Sequence, residues 1–204
     1  MSIKRNILAM AIASIMVFPI FNTAYAISNN IDNESKVEYD EVIFSDWNKD
    51  GKNIIVRDDY AKDMKNSFVV EDYETGKKFN MIRTGGSNHA DVEPVSIDDT
   101  KVIKEIWGGF SWDRRPVLIH IGDKVYGASM TAMPHAGLDS EPARAYTEKN
   151  RSDGYGKGTN YDSVKGNGAD GHMDIHLLNS MTHTSKKLDS AHQNNIKLLM
   201  DKFN

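Results

Sequence analysis

Apolar and polar residues alternate with a period of two in three separate stretches of the chain. Residues 67–83, SFVVEDYETGKKFNMIR, carry two such runs joined through ETGK and predict a β-hairpin. Residues 115–130, RPVLIHIGDKVYGASM, predict a second hairpin that turns at GDK. VEYDEVIF and NIIVR read as short strands on either side of SDWNKDGK. Two other stretches switch to the helical period. In SIDDTKVIKEIWGG, Ser96 caps, Asp98 and Asp99 favour the positive end of a helix, and Val102, Ile103, Ile106 and Trp107 form one apolar stripe that Gly108 ends. In LDSAHQNNIKLLMDKF, Leu188, Ala191, Ile196, Leu199 and Phe203 repeat at helical spacing. The expected fold class is α+β: mainly antiparallel β-sheet with at least two packed helices and a long Gly-rich loop.

That loop, residues 136–171, has no periodicity and includes DGYGKGTNYDSVKGNGADG. Long stretches of this kind inside compact domains are functional loops or disordered segments. Its place between two histidine-bearing segments favours a loop that covers or shapes a site.

The third alternating stretch, GHMDIHLLNSMTH, changes the picture from fold to chemistry. Met173, Ile175 and Leu177 fall on one side, and His172, Asp174 and His176 on the other. Upstream, GGSNHADVEP places His89, Asp91 and Glu93 at alternate positions, AMPHAG supplies His135, and NSMTH adds Ser180 and His183. His120 reads as a half-buried strand residue and His192 as a packing or surface residue of the last helix. A zinc ion needs three or four N, O or S ligands about 2.0–2.2 Å away for the N and O types. Neighbouring same-face residues of one strand stand roughly 7 Å apart, so one strand rarely supplies all the ligands. His89, Asp174 and His176 are the expected ligands, with Asp91, His135 or His172 as base or oxyanion stabiliser. Arg114, Arg115 and Tyr155 are expected to bind substrate, the arginines by gripping a carboxylate. A structural hydrogen-bond cluster and metal-free acid–base chemistry are the competing readings. Ser180 lacks the G-x-S-x-G context of a nucleophile. Asp46, Asn48, Asp50 and Gly51 start like a calcium loop, but Arg57 stands at its twelfth position, so a turn is expected there.

Composition bounds the setting. Lys4 and Arg5 precede the largely apolar residues 7–21, and Ala24 and Ala26 complete an A-x-A pattern. Residues 1–26 therefore read as a secretory signal peptide, 27–36 as a flexible lead-in and 37–204 as a single α+β domain. With the signal peptide removed, no stable membrane span is expected. The chain has no cysteine, which removes disulfides and every cysteine-based mechanism. A net charge of −4 without a long basic run argues against nucleic acid as a partner.

DYETGKKFNMIRTGGSNHADVEP, IWGGFSWDRRPVLIHI, ASMTAMPHAGLDS and GNGADGHMDIHLLNSMTH resemble a domain of exported Gram-positive proteins that often accompanies cell-wall-binding modules. The resemblance covers roughly residues 66–195 and implies a secreted or extracytoplasmic, cell-wall-associated protein. The order of a histidine before a loop, then a strand with His and Cys, is also distantly similar to L,D-transpeptidases. On that likeness His135 matches the early histidine and Asp174 stands where the nucleophilic cysteine would be, so their thiolate mechanism is excluded here. Zinc peptidases of peptidoglycan also use His, Asp and His, but their HxH pair is missing, since His172 and His176 are four apart. The expectation is a zinc-dependent hydrolase acting on peptidoglycan or its peptides; the alternative is a non-catalytic wall-binding or surface module.

Overall fold

The computed structural model describes Tyr39 and residues 41–203. The chain divides into Met1–Val37 and Glu38–Asn204. The expected signal peptide and lead-in lie outside the described residues.

Among the described residues, nine strands and three α-helices follow one another: α1 (Lys52–Ile54), β1 (Phe68–Asp72), β2 (Lys78–Gly85), β3 (Ala90–Pro94), α2 (Ile97–Trp107), β4 (Arg115–Ile121), β5 (Lys124–Met130), β6 (His135–Ala136), β7 (Tyr146–Arg151), β8 (Gly156–Thr159), β9 (Gly171–His176) and α3 (Ser190–Phe203). The sheet runs β3-β2-β1-β4-β5-β9-β6, and β3 also pairs with β9. That pairing closes β1, β2, β3, β9, β5 and β4 into a six-stranded antiparallel barrel, with β6 joined to β9 outside the ring. The α+β class holds, and closure into a barrel is the feature that periodicity did not reveal.

Alternation explains the core. Phe68, Val70, Phe79, Met81, Ala90, Val92, Val117, Ile119, Ala128, Met130, Met173 and Ile175 are buried in one cluster. Burying each large apolar side chain contributes roughly 1.5–3 kcal/mol before entropy is counted. Ile103 of α2 and the fully buried Trp47 join the same cluster. Ser96 caps α2 by accepting from the Asp99 amide, and Gly108 ends it in the left-handed conformation. Leu199 of α3 packs with Leu118, on the other face of β4.

Two of the expected short strands are not built as such. NIIVR begins in the α1 turn and reaches a lone bridge between Arg57 and Arg83, while VIF contributes only the bridge between Ile43 and Tyr126. Asp46 instead caps the π-helical turn Trp47–Gly51, accepting from Asn48 N at 2.8 Å, so the calcium-like sequence is a turn. The aperiodic stretch 136–171 contains the β7–β8 hairpin, pinned by Arg151, whose guanidinium donates to the carbonyls of Gly156, Thr159, Tyr155 and Lys157. No helix among the described residues is long and apolar enough to cross a membrane.

Candidate metal centre

The barrel seam places the chemistry. Across β3 and β9, Ala90 faces Ile175, Asp91 faces Asp174 and Val92 faces Met173. Paired residues of an antiparallel ladder point to the same face. The apolar pairs therefore fill the core, and Asp91 and Asp174 share the outer face with His172 and His176. On the far side of β9, His135 of β6 stands opposite His172. Gly86 (φ +86°) lets the chain double back before β3: a Cβ there would meet His89 O at 2.0 Å. Gly171 (φ +101°) does the same beneath β6, where a Cβ would meet His135 O at 2.2 Å.

Four ligand atoms converge on this face. Those of His89, Asp91, Asp174 and His183 lie within 4.8 Å of one another. A second group at the same spacing comprises His135, His172 and Asp174. His89 Nε2 stands 3.1 Å from Asp174 Oδ1 and 3.5 Å from Asp91 Oδ1, and His183 Nε2 stands 2.9 Å from Asp91 Oδ1. Two ligands on a tetrahedral zinc, each about 2.0–2.2 Å from it, are separated by about 3.3–3.6 Å. The groups can thus hold a divalent ion with small adjustments. Each of two rings is aimed by its other nitrogen: His89 Nδ1 donates to Met181 O (2.8 Å) and His135 Nδ1 to Met133 O (3.0 Å). Such backbone acceptors fix the tautomer and leave Nε2 facing the carboxylates.

Electrostatics separates the residues. Burial disfavours charge on His89, Asp91, Asp174 and His172, yet the carboxylates of Asp174 and Asp91 outweigh it at His89 and push its pKa up to about 9. Asp174 and Asp91 are held below the usual carboxylate range, because the surrounding imidazoles overcome the cost of burial. His172 is driven the other way, down to about 4, chiefly by desolvation. Its Nδ1 is buried without a hydrogen-bond partner.

A cleft of about 420 Å³ opens onto the cluster, bordered by Asp91, His135, His172 and His183 and by Arg57, Arg144, Arg151, Tyr155 and Tyr161. Tyr155 lies 5.1 Å from the His135 ring and Trp112 5.0 Å from it, while Tyr161 meets His172 edge-on at 5.9 Å. The 136–171 segment thus covers and shapes the site.

The expected residues are placed unevenly. His89 and Asp174, the expected ligands, lie in one group that could hold an ion, and Asp91, expected as a base or oxyanion stabiliser, lies in the same group. His176 lies outside both ligand groups. Its ring is sandwiched between His89 (4.4 Å) and His192 of α3 (3.9 Å, 4° between planes). Arg114 pairs with Asp189, and Arg115 with Asp72 and Glu74, so both are committed away from the cleft. Ser180 Oγ accepts from Leu177 N and shapes a turn. His120 is bound to Glu71 at 2.9 Å, as befits a half-buried strand residue. His183 was named in NSMTH without a role, Arg144 and Arg151 lie in the aperiodic stretch 136–171, and Arg57 ends the expected strand NIIVR, so nothing local marked them as neighbours of the cleft.

No family model, curated protein or solved structure matches the chain.

Proposed function

We propose that the chain is an exported, zinc-dependent hydrolase acting on peptidoglycan or its peptides. The observation that carries this reading is the convergence of His89, Asp91, Asp174 and His183 at an open cleft with cationic walls. Bound zinc would supply Lewis acidity and a water that ionises near neutral pH. The chain's own groups bind and orient. Among the described residues Arg151 donates to backbone carbonyls, which leave its charge unneutralised, so it can attract a substrate carboxylate beside the ion. Tyr155 and Tyr161 offer flat faces to the rest of the substrate. The envelope setting is supported by Lys4, Arg5, the apolar run after them and the motif resemblance.

The half-exposed Tyr155 favours one second reading, a wall-binding module that grips without cleaving. One experiment separates the two. The purified chain, loaded with zinc, is incubated with purified peptidoglycan, and new amino ends are labelled. The hydrolase releases them, a chelator stops release and zinc restores it. Release that survives chelation overturns the metal. Co-sedimentation with no new ends under any condition supports the binding module instead.

A further inference from the structure

The cluster holds more imidazole than one ion uses. Asp91 and Asp174 stand opposite each other in register, between two histidine pairs. Asp174 Oδ1 is 3.1 Å from His89 Nε2 and 3.7 Å from His135 Nε2. Asp91 repeats the arrangement with its two oxygens, Oδ1 at 2.9 Å from His183 Nε2 and Oδ2 at 3.8 Å from His172 Nε2. Each carboxylate therefore faces one ring from the His89–His183 pair and one from the His135–His172 pair.

The second pair has two features that a packing role leaves unexplained. His172 is buried with Nδ1 unpartnered, and its Nε2 lies beyond hydrogen-bond reach of Asp91. A buried polar group normally finds a partner, because leaving one unmet costs stability. His135 donates from Nδ1 to a backbone carbonyl, which can only accept, so Nε2 is the nitrogen left facing Asp174. The rings lie 4.2 Å apart, and both border the cleft.

We infer that the centre is dinuclear: a second divalent cation is bound by His135, His172 and Asp174, with Asp174 shared between the two ions. This goes beyond the hydrolase reading and rests on it only for the first ion. Paired ions in hydrolytic sites stand about 3.5–4 Å apart, a span one carboxylate can bridge, and together clamp the attacking and leaving oxygens. Two dications beside two carboxylates leave net positive charge. A bridging hydroxide and an anionic substrate would offset it, in keeping with the cationic wall.

The test is stoichiometry. The full chain is dialysed to equilibrium against zinc and its metal content measured, beside His135→Ala and His183→Ala. The dinuclear site binds about two equivalents, and each variant keeps about one. One equivalent in the parent, unchanged in His135→Ala, overturns the second ion and leaves the hydrolase reading standing. No bound metal in the parent overturns both. Circular dichroism reports whether the variants fold. If they do not, the parent loaded with manganese decides by electron paramagnetic resonance: an exchange-coupled pair supports the inference, and an isolated-ion spectrum overturns it.

Discussion

His89 and His192 are buried imidazoles stacked on opposite faces of the same ring, His176, yet their surroundings drive them in opposite directions. Two carboxylates push His89 up to about 9 against its burial. His192, whose Nδ1 meets the neutral Ser129 hydroxyl at 2.8 Å, is driven by burial down to about 4. The stack on His176 therefore joins one imidazole, His89, whose charge the carboxylates favour, to another, His192, whose charge burial opposes. Residue type and burial do not separate these two rings; the carboxylate contacts of His89 do.

The strongest way to break this contrast is Asp174→Asn. The substitution keeps the shape and removes the charge shared by both ligand groups. Zinc affinity should fall by more than about 100-fold, since even supporting partners of ligands typically cost 10–100-fold. Isothermal titration measures it, and unchanged affinity would exclude Asp174 from the site.

A pH series on the chelated protein sharpens the contrast. The folded pKa of His89 lies above the ordinary value of 6.5, so its contribution is fully present below pH 6.5 and is lost as pH rises through about 9. His192 and His172 titrate near 4 when folded, so unfolding takes up their protons first and stability falls as pH drops from 6.5 towards 4. Melting temperature should peak near neutrality and decline on both sides. With zinc bound, the alkaline decline should vanish, because ligation keeps His89 Nε2 unprotonated.

The smallest expected effect is His176→Phe. The ring keeps its place between His89 and His192, while a buried nitrogen without a partner disappears. Metal stoichiometry should be unchanged and stability unchanged or raised by about 1 kcal/mol, read by urea unfolding. Loss of an equivalent of metal would restore His176 as a ligand.

Local signals made much of the fold legible. The ETGK and GDK hairpins and both amphipathic helices follow from periods of two and 3.6 and from Ser96 and Gly108. Closure did not, because Ala90–Pro94 is short and its partners lie some eighty positions away. The β7–β8 hairpin was equally silent, since hydrogen bonds from Arg151 hold it instead of alternating apolar residues. At the site, parity put His172, Asp174 and His176 on one face, but only the fold shows that Asp174 bonds to His89 while His176 stacks between His89 and His192 of α3. Arg114 and Arg115 looked free because Asp189 and Asp72, their partners, are remote in sequence.

The seam between β3 and β9 sets two carboxylates against each other in direct register. Like charges so placed repel and would pry a ladder apart. Here the imidazoles of His89 and His183, set against these carboxylates, act as a clasp. The clasp has parts only when residues 89–91 and 172–174 have already met, so an unfinished chain offers no complete cage for a metal. On the proposed metal reading, an ion would brace a seam that the imidazoles already close, so its binding would tighten a barrel that a chain without cysteines has no disulfide to cross-link.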